Sequence, residues 1–256
     1  MKQLISIITP MYNLADLIGE TIDTVIQQTY PHWEMIIVDD QSPDNGAGIA
    51  VVEQYSQQDS RIKLIKAKVN KGSSGARNTA IKAAQGKIIA FLDGDDLWDQ
   101  DYLQQQLDFM AKKKATIVFS SYRRIDEETK TEILKPFIVP KKVNYKSILK
   151  SLPIFPSAAM IDISVIGKIY FNEAQGSLRD DYVMWLAVLR EKVEFAYGNP
   201  SVLVSYRLRK SSVTSQKNRV ILPHWNVLYR VEKLPFIKAA YYLGCWAWIS
   251  FWKYKN

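Results

Sequence analysis

Five carboxylates fall within nine residues, Asp93, Asp95, Asp96, Asp99 and Asp101, directly behind the apolar run Ile88-Ile89-Ala90-Phe91-Leu92. Acids this close repel one another, so either a cation offsets them or one keeps its proton. A hard divalent ion, Mn²⁺ or Mg²⁺, held by oxygen and bridging to a phosphate is the chemistry this pattern suits. Acids opening a helix would account for Asp99 and Asp101. They would not account for Asp93, which follows a buried strand without a break. A second pair, Asp39-Asp40, ends the run Met35–Val38, where a fixed carboxylate can accept the imide N–H of uracil or thymine. Alternatively the pair, with Ser42, caps the helix that follows. In Asn70-Lys71-Gly72-Ser73-Ser74-Gly75-Ala76-Arg77, backbone amides and a guanidinium suit a diphosphate, although Arg77 paired to a nearby acid fits equally well. The loop is neither a dinucleotide fingerprint nor a P-loop. With two histidines, His32 and His224, and one cysteine, Cys245, a multi-histidine zinc centre and a disulfide framework are out. Any metal would be held mainly by oxygen.

The elements that must position these residues follow from periodicity. Leu4–Ile8, Met35–Val38, Ile62–Ile65 and Ile88–Leu92 read as short buried strands, the first stopped by Pro10. Between them lie helical patterns: Leu14–Ile26, a segment marked by Ile49, Val52 and Tyr55, and Ala76–Ala84. Strand–helix alternation with continuous apolar strands implies an α/β protein with a parallel sheet covered on both faces. Ligands of such sheets sit beyond the carboxyl ends of the strands. Those ends carry Thr9–Asn13, Asp39-Asp40, Asn70–Arg77 and Asp93–Asp96, so four of them converge on one crevice. After a strand over Thr116–Tyr122 the regularity fades. A short helix near Tyr145–Leu152, a helix over Asp180–Leu189 and a strand over Val202–Arg207 are expected, and from Lys217 onward two helical segments break at Pro235.

As an ordered set, Ile8-Thr9-Pro10-Met11-Tyr12-Asn13, Ile37-Val38-Asp39-Asp40-Gln41-Ser42-Pro43-Asp44, Asn70-Lys71-Gly72, Ala76-Arg77-Asn78 and Phe91-Leu92-Asp93-Gly94-Asp95-Asp96-Leu97-Trp98 resemble the family 2 glycosyltransferases. These are inverting enzymes of the GT-A fold that use nucleotide sugars. The resemblance covers roughly residues 4–110, continues more weakly through 140–210, and is greatest to bacterial enzymes of teichuronic-acid and related surface-polysaccharide assembly. It implies that Thr9, Pro10 and Tyr12 line a base pocket, with Tyr12 against the uracil ring. It implies that Asp39 takes the uracil N–H and that Asn70 and Arg77 hold the nucleotide. Asp93 would face ribose or donor sugar, and Asp95 would bind the metal. Asp180-Asp181-Tyr182 matches the family's Glu-Asp-Tyr segment and places Asp181 at the catalytic base, although acids at a helix start are the blander reading of that pair. Many relatives carry histidine after a Tyr-Arg pair near the last strand. Here Tyr206-Arg207-Leu208-Arg209 puts Arg209 there, which can grip phosphate oxygens but cannot ligate a metal.

The implied organisation is a GT-A catalytic domain over 1–215, with a nucleotide-binding half (1–110) and an acceptor half (111–215), followed by a helical tail over 216–256. Charge separates the two. Residues 201–256 hold ten Lys/Arg against one acid, Glu232, while residues 1–200 hold 24 bases and 25 acids. A neutral body argues against nucleic acid, and a basic tail against something anionic. Fourteen uncharged residues between Lys238 and Lys253, rich in Tyr and Trp, are too few to cross a bilayer comfortably. They suit a membrane interface, or a helix packed on the body or on a second copy in a homo-oligomer. The amino terminus does not read as an export signal, so the expected location is cytoplasmic, at the inner face of the membrane. The expected activity is metal-dependent transfer from a UDP-sugar to a lipid-linked saccharide acceptor. A nucleotide-sugar pyrophosphorylase would want a Gly-rich basic loop after the first strand, which Thr9–Asn13 lacks. A non-catalytic, membrane-tethered nucleotide-sugar-binding module would need no base at Asp181.

Overall fold

Isoleucine, valine and methionine fill the early strands because helices cover the sheet on both sides. In the computed structural model, which describes residues 3–175, 178–208 and 218–253, the chain opens with β1 (Ile5–Met11), α1 (Ile18–Ile26), β2 (Trp33–Asp39), α2 (Ala47–Gln58), β3 (Ile62–Lys66), α3 (Gly72–Ala83) and β4 (Ile88–Phe91). The four strands lie side by side and parallel, in the order β3-β2-β1-β4. Ile5 and Ile7 pack on one face with Ile18, Ile22 and Val25 of α1. Ile8 packs on the other with Ala76, Ala80 and Ile81 of α3.

Two local expectations need correcting. β1 does not stop at Pro10; it runs to Met11 beside Asp39. Ile8 bonds toward β4, accepting from the Leu92 amide, so Pro10, two residues on, faces the same side, where β4 has already ended. Its missing N–H therefore falls on an open edge and breaks no ladder. Likewise α3 starts at Gly72 rather than Ala76. The segment expected as a loop forms the first turn of the helix and carries Ser73 and Ser74 with it.

The second half is a mixed sheet: β5 (Leu97–Trp98), α4 (Tyr102–Lys113), β6 (Ile117–Asp126), β7 (Glu132–Phe137), β8 (Lys142–Val143), α5 (Tyr145–Ile148), β9 (Ala159–Asp162), α6 (Ile163–Ile166), α7 (Asp180–Glu191) and β10 (Ala196–Leu208). The sheet continues from β4 through β9, β6 and β10 to β5, with β7 and β8 on its flanks. β9 is antiparallel to both β4 and β6, and β6 is parallel to β10. β9 thus closes the gap between the first four strands and the β6–β10 pair.

The tail comprises α8 (Asn218–Asn226), a π turn over Val227–Val231 and α9 (Phe236–Lys253), with the expected break before Pro235 respected. It packs on the α3/α7 face, where Val227, Leu228 and Ala239 are buried and Tyr242 and Leu243 rest against the same core. No helix among the described residues is long and apolar enough to cross a membrane.

Candidate active site

Arg77 stands at the centre of the site. α3 carries it beneath the ends of β1 and β4, where it is 5% exposed. Its Nη2 donates to Asp93 Oδ1 (2.6 Å) just past β4, and its Nη1 donates to Asp180 Oδ2 (3.1 Å) in the first turn of α7. Ser74 and Ser73, brought into position by the early start of α3, donate hydroxyls to the same Asp180 oxygen (2.9 and 3.2 Å). Phe171 lies under the guanidinium, 5.2 Å away. The two carboxylates hold the guanidinium's proton well above its ordinary value despite burial. The resemblance implied that Arg77 grips the nucleotide. The structure instead gives both of its Nη groups to protein carboxylates.

The acid cluster separates into distinct environments. Gly94 lets the chain turn between Asp93 and Asp95, because a Cβ there would come within 2.9 Å of Leu14 Cδ1 and 3.1 Å of Pro10 O. Asp95 is half-buried at the rim. Asp96 turns inward and is fully buried, accepting from Ser157 Oγ (2.5 Å) and the Arg207 amide (3.2 Å). Burial first, then the charges of Asp95 and Asp93, push its carboxyl well above the usual range. Ser157 also accepts from the Asp93 amide (3.1 Å), so one hydroxyl ties two acids together. Asp99 pairs with Arg123, and Asp101 accepts from Gln105 (2.5 Å). Asp101 stands at the N-cap position of α4, so an acid does open that helix, but its carboxylate makes no capping bond.

On the nucleotide side, Tyr12 is 50% exposed, Pro10 is half-buried, and Thr9 is fully buried with Oγ1 lacking a partner among the described residues. Thr9 therefore forms a floor beneath the rim rather than a wall. Asp39 is 3% exposed and accepts from the Ser42 hydroxyl (2.5 Å), which itself accepts from the Asn13 amide (2.9 Å). The capping alternative for Asp39-Asp40 does not hold, because Asp44 binds the Gly46 and Gly48 amides at the start of α2. Asp40 instead accepts from the Lys71 amide (2.9 Å), and Asn70 donates to the Asp40 carbonyl (2.7 Å). That pins the β3–α3 connection to the end of β2. Arg209 lies outside the described residues.

Asp181 follows Asp180 at the start of α7. One of its oxygens accepts from the Tyr182 amide (2.7 Å). Burial and the neighbouring Asp180 charge raise its carboxyl to about 6, against the opposing pull of Arg179 and Arg77. A carboxylate at about 6 is poised to take a proton near neutral pH. Thus β1, β2, α3 and β4 gather Tyr12, Asp39, Asn70, Asp93 and Asp95 at one edge, and Arg77 brings the start of α7 to it. Ser157 was not read from the sequence at all, while Asp96, Ser73, Ser74 and Asp180 lay in segments read as candidate sites without being given a role of their own. Asp180 and Asp96 each adjoin an acid that was given one, but their partners lie 61 to 111 residues away.

A model of family 2 glycosyl transferases matches residues 6–168. The chain belongs to glycosyltransferase family 2. It is 37% identical over 240 residues to the putative teichuronic acid biosynthesis glycosyltransferase TuaG of Bacillus subtilis strain 168, covering 94% of this chain and 93% of that protein. It is 34% identical over 241 residues to the Escherichia coli UDP-Glc:alpha-D-GlcNAc-diphosphoundecaprenol beta-1,3-glucosyltransferase WfgD, covering 94% and 91%. Among solved structures, S. aureus TarS 1-349 in complex with UDP superposes with a TM-score of 0.67 at 18% identity, over 93% of this chain and 69% of that one. The mannosyltransferase PcManGT from Pyrobaculum calidifontis, in complex with GDP-Man and Mn2+, gives 0.68 at 20%, over 95% and 70%. The shared architecture is the GT-A fold, with the mixed second half that such a fold carries.

Two stability outcomes follow. Arg77→Ala strands two carboxylates and should cost about 3–5 kcal/mol, read by urea or thermal unfolding. Asp181 acts in the opposite direction: its folded carboxyl titrates above its unfolded value of 3.8, so the folded state holds the proton more tightly. Stability is then lost as pH rises from about 4 to about 6 and stays lost above. Asp181→Asn should raise the melting temperature at pH 7.5 by several degrees and flatten the profile between pH 4 and 6.

Proposed function

We propose that the chain is a metal-dependent inverting glycosyltransferase moving a hexose from a UDP-sugar to a hydroxyl of a lipid-linked, growing cell-surface polysaccharide. The observation that carries this reading is the Asp93–Arg77–Asp180 link. It ties the first acid of Asp93-Gly94-Asp95 to the residue next to Asp181, so a proton acceptor and a donor-binding rim form one unit. The names of WfgD and TuaG support the lipid-linked acceptor and the surface polymer, and the UDP bound to TarS supports the donor.

The rim fits a divalent ion. Asp93 and Asp95 put negative charge at the rim, which adds to burial in raising the Asp96 carboxyl, and Asp95 carries hard oxygen donors. Among the described residues no three His, Cys, Asp or Glu gather to hold a metal, so nucleotide phosphates would complete the shell of an ion bound at Asp95. When bound, Mn²⁺ or Mg²⁺ neutralises charge on the departing diphosphate. Tyr12 offers its exposed ring face to the uracil, above the floor made by Thr9 and Pro10. Asp39 accepts the imide N–H once Ser42 yields its bond, and Asn70 holds the loop beside it. Asp93, oriented by Arg77, faces the ribose or donor sugar. Asp181 accepts the proton of the acceptor hydroxyl as its oxygen bonds to the anomeric carbon, and the UDP–sugar bond breaks on the opposite face. One carboxylate acting as base suffices for inversion, whereas a covalent route would want a second nucleophile on the ring's other face.

Membrane docking belongs to the same proposal, with 1–215 as the catalytic unit and 216–256 as its docking tail. α9 turns Ile237 (81% exposed), Tyr241 and Trp248 (66% exposed) outward, beside Phe236. α5 and its flanks carry Lys141, Lys142, Lys146 and Lys150, and α5 is joined to the tail by Tyr145 donating to Glu232 (2.7 Å). Exposed rings bordered by ammonium groups fit an anionic bilayer surface.

A thermal-shift panel of nucleotide sugars with Mn²⁺ should show stabilisation by a UDP-sugar. Stabilisation by GDP-sugars alone would overturn the donor assignment. Asp181→Asn should keep donor affinity while lowering kcat about 10²–10⁴-fold. Co-sedimentation with phosphatidylglycerol vesicles should retain the protein at low salt, and Ile237→Ser with Trp248→Ser should release it. Equal binding to neutral vesicles would remove the electrostatic part of the docking model.

A further inference from the structure

His224 is placed at a cost. It is fully buried, and both ring nitrogens lack hydrogen-bond partners among the described residues, a penalty of roughly 1–3 kcal/mol per polar group. An apolar side chain would fill the space more cheaply. What the imidazole does is stack. Tyr182 lies parallel to it on one side (4.8 Å, 8°) and Trp246 of α9 on the other (4.4 Å, 23°). Trp246 also carries the Arg179 guanidinium over its ring, 4.9 Å from the centroid. Arg179 and Tyr182 flank the Asp180-Asp181 pair, so a single tail side chain reaches both sides of it, directly through Arg179 and indirectly through His224.

We infer that Trp246 is a positioning residue for the active site: its ring holds the Arg179 guanidinium where it faces the Asp181 carboxylate, and through His224 it braces Tyr182. Three observations favour this over simple tail packing. Ala239, Tyr242 and Leu243 already anchor α9 on the core. Arg179 adopts a left-handed backbone (φ 70°) to enter α7, a strained conformation for a side chain of this size. The charged groups facing Asp181 are Asp180 and Arg179 on α7 and Arg77 from α3, and Arg179 leads those that favour its ionised form. His224, facing Arg179 from α8, is held down to about 3 by burial and that same charge, so it stays neutral and the stack keeps its form at physiological pH.

The inference rests on Asp181 being the base, yet it can be tested without knowing the substrate. In full-length protein labelled with ¹³Cγ-aspartate, the resonance that disappears in Asp181→Asn reports Asp181. Trp246→Leu keeps apolar bulk but removes the π face, and should move the Asp181 midpoint upward by about half a pH unit or more. Trp246→Phe should leave it within ~0.2 unit. Arg179→Gln should give the same upward move, and adding Trp246→Leu to it should change nothing further. A folded Trp246→Leu variant with an unmoved midpoint would reduce Trp246 to a packing residue. If Trp246→Leu does not fold, an unmoved midpoint in Arg179→Gln is equally fatal. Retained turnover in Asp181→Asn would instead remove the base assignment while leaving the titration result standing.

Discussion

A buried guanidinium needs its charge and donors compensated, and Arg77 is met by two carboxylates that come from opposite halves of the chain. Removing water from all three charges is costly, and the cost is offset only if the geometry is held closely. This makes the interaction a constraint as well as a contact. With Ser73 and Ser74 completing the ring around Asp180, the end of β4 and the start of α7 cannot move independently. In the proposed reaction, that would fix Asp93 and Asp95 relative to the proposed base before any substrate arrives. Pre-set geometry of this kind is where rate enhancement from orientation originates.

The same arrangement leaves charge imbalance where chemistry would use it. Burial, and then the Asp180 charge beside it, keep the Asp181 carboxyl raised even with Arg179 and Arg77 nearby. Asp96, closed off under Ser157 and the Arg207 amide, is raised further by the rim acids. Neither arrangement improves stability. Asp181 held as a charged acid costs stability, as a group tuned for chemistry would.

Much of the first half was legible because its signals are local. Continuous Ile and Val runs need no partner to identify them as doubly covered strands, and strand ends that bear Asp, Asn or Gly identify a ligand edge. Where two influences competed locally, the reading slipped. Pro10 argued for a strand end, but the neighbouring strand had already stopped on that side. Gly72 and Gly75 argued for a loop, but tertiary bonds from Ser73 and Ser74 to Asp180 favour an early helix. β7, β8 and β9 were not legible. β8 spans two residues, β7 is largely exposed and contains Pro136, and β9 is four residues long and lies between partners that only the assembled sheet provides. The spacing of Asn70–Arg77 shows that a cation is near the crevice and not which anion it meets; its pairing with Asp93 and Asp180 appears only in the fold.

Hydropathy alone left the tail open between membrane, body and a second copy, because α9 is apolar nearly all round. The structure divides that surface. Ala239, Tyr242, Leu243 and Trp246, spaced as one helical face, turn to the body, while Ile237, Tyr241 and Trp248 face away. A helix of 18 residues, about 27 Å long, that buries one apolar face in protein still leaves the other without a partner in water. Under the docking proposal, an apolar phase bordered by anionic groups would cover that face. The inward face reaches Arg179 and, through His224, Tyr182, so a surface that held α9 would also bear on the setting of the proposed base. A lipid-linked acceptor would then meet the catalytic edge on the surface that keeps that edge in order.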